Sequence, residues 1–559
     1  MKSDKLIKRL LTIFMLCTLV VFVIIPLAYL CIEAFKGSGN LHGLDALKYY
    51  ISRSIESGSL SNSLKIALYT SLITVILAFI YAYGLTRCRV PFKGMFKSAA
   101  FIPLFAPTMM YAIGLIYLFG NKGVFTEFLG IDVGIYGIKG IVLSLVIFTF
   151  PQAFIVLYVS LKGTDARLYE AAETLNISSI KTFFRITLPS VKYALFSAFL
   201  ITFTLSFTDF GAAKIIGGQC NILPLEIYKQ ILGQQNFAVG AGLTLVLLIP
   251  SMIFLIVEKV ITRKGSEYVQ DGKAKPLIIK ANKFKDIVFT VLCSIIMLSF
   301  LSVILIVGFT SVVKYWPYDL TFTLSNYTFE NSISNEGVSF LNSIIISIVT
   351  AVVGVVLIFI NSYLIEKVKE MKVLRKVCYV FSMIPLAIPG LVIGISYVIF
   401  FSKGENPLNF LYGTPIILVI ANLVHFYSVP FITSMTSLKK LDKEYEETAE
   451  VMDISFGKLL SKVTLPLSID SFKENFLYLF TNSMITISAI VFLYTPAFKV
   501  ATISIVNLED IGALSSAAAL SCLIIAGNIA MRVLVVIIEF IYKKIKERKG
   551  QNLCDVSTN

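Results

Sequence analysis

The sequence predicts an all-α, polytopic membrane protein of about 12 transmembrane helices, arranged as two parallel six-helix repeats. The first observation behind this is composition: 57% of the 559 residues are hydrophobic and 15% charged, with mean hydropathy +0.83. A soluble domain carries roughly a quarter charged residues. The second is that the apolar residues lie in long runs near the ~20 residues a helix needs to cross the hydrocarbon core. The third is that one charged segment occurs twice, 277 residues apart, at Tyr169–Pro189 and Glu446–Pro466.

In chain order the apolar runs fall at 11–31, 64–85, 99–118, 141–161, 190–208 and 241–261. A second set falls at 287–310, 343–365, 377–401, 415–435, 474–494 and 517–542. Irregular backbone facing lipid is not tolerated at membrane depth, so all twelve are expected as helices. The opening MKSDKLIKRL and the run to Cys31 could pass for a signal peptide. The run is longer than a signal core and no A-x-A site follows, so it reads as a retained first span.

An even number of spans puts both termini on one side. With the N-terminus inside, the internal segments 1–10, 86–97, 162–192, 263–285, 366–376, 438–473 and 543–550 hold 36 of the 49 Lys and Arg. That satisfies the positive-inside rule. The net charge of +15 is therefore topological and implies no nucleic-acid partner. Both termini are expected in the cytoplasm of a bacterial cell, with the chain embedded in the lipid bilayer of its plasma membrane.

The eight cysteines are scattered singly without a CxxC, and there are only two histidines, so neither a disulfide framework, a zinc site nor a His-rich metal centre is indicated. Further repeat signals mark the two halves. Phe101–Pro107 (FIPLFAP) resembles Met383–Pro389 (MIPLAIP), and Asn62-Ser63 matches Asn342-Ser343. With six spans per half the copies share one orientation, a parallel repeat. The domains are therefore a first half at 1–262, a polar basic linker at 263–286, a second half at 287–542 and a tail at 543–559.

The repeated segment lies between the fourth and fifth span of each half, at 161–189 and 438–466, on the inner side. Twelve of its 29 positions are identical at +277, too many for a solvated loop between spans that have drifted. Leu168, Ala172 and Leu175 stand at i, i+4 and i+7, an apolar helical stripe with Glu170 and Glu173 beside it. Tyr445, Ala449 and Met452 repeat the stripe, flanked by Glu447 and Glu450. The helices should stop at Asn176 and Asp453, residue types that accept a left-handed turn. Ser178 and Ser455 are placed to cap a second short helix, which Leu188-Pro189 and Leu465-Pro466 close. The product is a helix–turn–helix knuckle, made twice.

This segment resembles the EAA loop of binding-protein-dependent ABC importers of type I. Glu170-Ala171-Ala172 and Ile186-Thr187-Leu188-Pro189 match that pattern, as do Glu447-Thr448-Ala449 and Val463-Thr464-Leu465-Pro466 with conservative changes. The pattern's glycine is replaced by Asn176 and Asp453. The resemblance implies a coupling helix docking on an ATP-hydrolysing subunit. The coupling residues would be Glu170, Ala172, Glu173, Asn176, Leu188, Pro189 and Glu447, Ala449, Glu450, Asp453, Leu465, Pro466. Two copies of the ATPase would be engaged. The chain lacks G-x-x-x-x-G-K-[ST], so ATP and magnesium would be bound by that partner, with no cofactor and no catalytic or metal site here.

Polar residues within spans are the candidates for a translocation path: Gln152, Asn422, His425, Asn482, Thr486 and Ser488, with Thr208 and Asp209 at the end of the fifth span. For a single Ser, Thr or Asn, helix packing is the competing reading; His425 reads more readily as a packing residue, and Asp209 needs a partner or water, with Lys214 nearby. The fused layout resembles permeases for 2-aminoethylphosphonate and for ferric iron. Thr208–Ala241 and Ile487–Ala519 are similar to the phosphonate type in particular. Aminoethylphosphonate is therefore the expected substrate, delivered by an extracytoplasmic solute-binding protein, with ferric iron the alternative. A secondary transporter of the major-facilitator kind also fits two parallel halves, but would need no duplicated docking motif; a passive channel or scaffold fits less well.

Overall fold

The computed structural model describes residues 2–37, 42–269, 281–329 and 336–557, with 275, 277 and 279 in between. The predicted linker falls partly outside the described residues. The predicted tail continues the last helix, Leu514–Ser557. Among the described residues the elements are helical apart from one two-stranded hairpin, Val313–Tyr315 with Asp319–Phe322, which the sequence reading missed.

Among the described residues seven helices are long and apolar enough to cross a bilayer without a break: Asp4–Lys36, Ser59–Arg87, Ile138–Lys162, Phe237–Ile261, Lys283–Ser311, Glu336–Glu366 and Leu514–Tyr542. Three more predicted spans are bent among the described residues. The third and ninth break sharply, Lys93–Phe105 against Thr108–Leu129 at 104° and Lys372–Ala387 against Gly390–Phe401 at 111°. The tenth bends by 56° between Pro415–His425 and Ser428–Lys439, whereas the fifth, Lys192–Thr208, is a single helix that meets the preceding Ser179–Ser190 at 61°. The eleventh, expected over 474–494, is helical only as Ile469–Ile485 and leaves the helix at Thr486.

The breaks correct the expectation of unbroken helices, and proline chemistry explains them. Pro107 has no N–H to give the carbonyl of Pro103, four residues back, and its ring clashes there. The Tyr111 hydroxyl satisfies that carbonyl at 2.7 Å. Pro389 stands in the same relation to Pro385. Both breaks are buried within protein, where irregular backbone is permitted. The first helix shows the same accounting: Pro26 follows a π-helical turn at Val20–Ile24. The stranded carbonyl of Phe22 accepts from the Tyr397 hydroxyl of the other half at 2.7 Å.

That last bond belongs to a wider exchange, in which each half lends its first span to the other. Asp4–Lys36 packs on the second half, with Phe22 and Phe401 rings 6.2 Å apart and Tyr29 and Phe400 rings 5.0 Å apart. Lys283–Ser311 packs on the first half, with Phe300 against Phe150 at 4.9 Å. Close approach depends on Gly84 and Gly114. A Cβ on Gly84 would lie 2.8 Å from Cys293 Sγ, and one on Gly114 2.6 Å from Val303 Cγ1. The Asn-Ser pairs prove to be matched fixtures. Asn62 Nδ2 donates to the Asn221 carbonyl at 2.9 Å, and Ser63 Oγ accepts from Leu223 N at 2.8 Å. Asn342 Nδ2 donates to the Lys499 carbonyl at 3.1 Å, and Ser343 Oγ accepts from Ala501 N at 2.7 Å.

Candidate functional site: twin knuckles and a seam between the halves

The two repeated segments fold alike at the lysine-rich end of the bundle. The first arms are Ala166–Thr174 and Glu444–Val451. Both arms end in a Schellman turn. Asn176 and Asp453 take φ of 52° and 50°, and Ile177 N and Ile454 N each donate at 2.9 Å to the carbonyls of Ala172 and Ala449. The turn thus forms without glycine, because Asn and Asp bear the left-handed conformation best among other residues.

The second arms run as Ser179–Thr182, a π turn at Phe183–Thr187 and Leu188–Ser190, repeated as Phe456–Leu459, Leu460–Thr464 and Leu465–Leu467. Ser178 and Ser455 sit at the expected N-cap positions, but neither hydroxyl makes a capping bond. Pro189 and Pro466 fall in the first turn of the closing helical segments, as expected.

The predicted stripe divides in space. Ala172 and Ala449 are buried against the bundle, whereas Leu175 is 72% and Met452 66% exposed, alongside Ile180, Phe184 and Val451. The small residue therefore seats the knuckle, and the large ones form an open apolar tip. The acidic residues flank it: Glu170 pairs with Lys275 of the linker at 3.0 Å and Glu447 with Lys369 at 3.6 Å. Glu173, Glu450 and Asp453 complete an acidic rim beside an apolar surface.

The path candidates gather less tightly. Asp209 accepts from Ala212 N at 2.9 Å and bonds the Thr108 hydroxyl. Lys214 does not partner it; its ammonium pairs with Asp510 of the other half at 2.6 Å. Thr208 bonds back to the Thr204 carbonyl of its own helix. Gly211 lies so close to Thr108 that a Cβ would stand 2.5 Å from its Oγ1. In the second half Gly390 replaces the threonine, and its missing Cβ makes room for Ser488 Oγ and His425 Nε2. His425 Nδ1 is buried without a hydrogen-bond partner. Thr486 begins the non-helical stretch, its carbonyl accepting from Thr502 at 2.9 Å. Asn422 is fully buried and donates to Ser483 at 2.7 Å, while Asn482 bonds the Tyr478 carbonyl of its own helix. Gln152 sits next to Pro151 within Ile138–Lys162. The structure thus brings Asp209 to Thr108 and Gly211, and His425 and Ser488 to Gly390, but joins Asn422 and Asn482 to neither group.

Two residues escaped the sequence reading. Arg87 and Lys367, counted there only as topological charges, are buried at the ends of the second spans and reach into the knuckles. Their signal was position: each closes the second span of its half.

The two pseudo-equivalent halves, each with a broken third span and a knuckle after its fourth, define a polytopic helical membrane protein built from a repeat. Comparison with known proteins specifies the class. The family described as binding-protein-dependent transport system inner membrane component matches twice, at residues 75–266 and 364–548, and the chain belongs to that family. It is similar to the ferric transport system permease protein FbpB of Actinobacillus pleuropneumoniae, 27% identical over 95% of this chain and 78% of the relative. A putative ferric transport system permease protein FbpB of Haemophilus influenzae is 26% identical over 89% of this chain and 80% of its own length. The spermidine/putrescine transport system permease protein PotC of Escherichia coli is 27% identical over 264 residues, 46% of this chain and 96% of the relative. The protein is a permease component of an ABC importer. These relatives favour the ferric reading over aminoethylphosphonate, which the sequence alone had ranked first.

Proposed function

We propose that this chain carries ferric iron across the bacterial plasma membrane. An extracytoplasmic binding protein delivers the ion, and two ATPase subunits, one seated on each cytoplasmic knuckle, drive its passage. The observation that carries the proposal is the repetition of an open apolar tip with an acidic rim, at Leu175 with Glu170 and at Met452 with Glu447. An exposed apolar surface of this kind marks a partner's seat. Both termini would be cytoplasmic, as the lysine distribution requires. Thr208 and Asp209 in one half, and His425, Thr486 and Ser488 in the other, would line the seam through which the cargo passes, with Asn422 and Asn482 behind it.

The ferric cargo rests on two relatives aligned along nearly the whole chain; aminoethylphosphonate rests on the resemblance of the two outer segments alone. Selection of the ion would fall to the binding protein. Uptake of radioactive ferric ion and growth on aminoethylphosphonate as sole phosphorus source, in a deletion strain, separate the two. Loss of iron uptake alone supports the proposal; loss of phosphonate growth alone replaces the cargo. Reversing both knuckle charges, Glu170→Lys with Glu447→Lys, should abolish uptake while the protein still inserts, and normal uptake by that double variant would refute docking.

A further inference from the structure

The knuckles are fastened to the bundle by a buried cation in each half. Arg87, the last residue of Ser59–Arg87, is 8% exposed. Its Nη2 donates to the Leu161 carbonyl at 2.8 Å and to the Tyr169 hydroxyl at 3.2 Å, with the guanidinium 4.9 Å from the tyrosine ring centroid. The Tyr169 hydroxyl in turn donates to Thr187 Oγ1 at 3.1 Å. One side chain thereby joins the end of the second span, the end of the fourth and both arms of the knuckle.

Lys367, just past Glu336–Glu366, takes the corresponding place in the second half and ties the segment after Ser428–Lys439 to the first arm of its knuckle. Its side chain is 4% exposed, and Nζ donates to the Leu441 carbonyl at 2.8 Å and to Glu446 Oε2 at 3.2 Å. The register that matches Asn62 to Asn342 matches Arg87 to Lys367, and the knuckle register matches Tyr169 to Glu446. Both partners of the contact differ between the halves, and they differ together. A delocalised guanidinium stacks on an aromatic face. A compact buried ammonium needs a carboxylate beside it, since an uncompensated buried charge is strongly destabilising. The chemistry has changed while the connection has stayed.

We propose that Arg87 and Lys367 are positioning residues for energy coupling: they lock each knuckle to the second span, so that a stroke arriving at the knuckle tip moves that span with the fourth and fifth. The second span then passes the displacement across the molecule, because Gly84 of Ser59–Arg87 packs against Cys293 of the span lent by the other half. This inference rests on the reading that the knuckles seat the ATPase.

The test uses the complete transporter in proteoliposomes, measuring ferric uptake and ATP hydrolysis together, with ATPase co-purification as a separate readout. Lys367→Met should retain bound ATPase but raise ATP consumed per ion by about tenfold, an ordinary size for coupling between sites. Arg87→Met should behave alike. Transplanting the first latch into the second half, Lys367→Arg with Glu446→Tyr, should return the ratio to near wild type, whereas Glu446→Tyr alone, which leaves the buried ammonium without its carboxylate, should not. An unchanged ratio in Lys367→Met, or a transplant no better than Glu446→Tyr alone, overturns the proposal. If Lys367→Met shows a normal ratio while Glu170→Lys with Glu447→Lys loses the ATPase, the latch is wrong and docking stands. If the doubly reversed variant keeps the ATPase, the docking reading itself has failed.

Discussion

At the turns of the knuckles the two halves agree closely: Asn176 and Asp453 share one backbone conformation, and Ile177 and Ile454 make the same 2.9 Å bond to Ala172 and Ala449. At the seam beside the broken third spans they do not. Thr108, Phe148, Asp209 and Gly211 of the first half correspond in register to Gly390, His425, Thr486 and Ser488 of the second. Where one half has a threonine against a glycine, the other has a glycine against a serine. Two copies of one partner require two equal seats, whereas a single cargo passing between the halves requires no symmetry at all. On the proposed function, the difference would separate the part of the chain shaped by its motor from the part shaped by what it carries.

The comparison breaks most visibly at the seam. Gly390→Ala forces a methyl onto Ser488 Oγ and to within 3.1 Å of His425 Nε2, an overpacking worth about 1–3 kcal/mol. The thermal unfolding midpoint in detergent should fall clearly, and Ser488→Gly should recover most of it. The mirror experiment uses the first half: Gly211→Ser should destabilise alone and be relieved by Thr108→Gly, which reproduces the second half's arrangement. Absence of relief would show that the glycines are not a matched pair.

A smaller effect should appear at the knuckles, and equally in both. Asn176→Val and Asp453→Val place a β-branched residue at positive φ, costing about 1–2 kcal/mol each; Asn176→Gly and Asp453→Gly should be neutral. ATPase co-purification and uptake measure the outcome, and a loss confined to one knuckle would break the equivalence. The smallest change is expected at the Lys214–Asp510 pair, where the side chains are 18% and 49% exposed. Lys214→Met should cost no more than about 1 kcal/mol, and exchanging the two charges should restore the midpoint at low salt.

The sequence made legible whatever depends on local chemistry or on repetition. Apolar runs located the helices, and the 277-residue repeat exposed the knuckles. Asn176 and Asp453 were readable as turn residues because few side chains accept that conformation. The breaks at Pro103–Pro107 and Pro385–Pro389 were less so, since a hydropathy run continues through a proline whose orphaned carbonyl is satisfied from elsewhere. The exit from helix at Ile485 was hidden for the same reason: Thr486–Tyr494 is as apolar as a span, but packs inside the protein. Lys214 choosing Asp510 over Asp209, and Arg87 and Lys367 turning into the knuckles, depend on residues far off in sequence. No periodicity reports such partners.

The equivalence of the two knuckles is most directly tested by native mass spectrometry of the purified transporter, counting ATPase subunits on each permease chain. The account predicts two on the natural protein, one when either Glu170 or Glu447 is replaced by lysine, and none when both are. A natural complex holding a single ATPase, or a doubly reversed one still holding two, would contradict it.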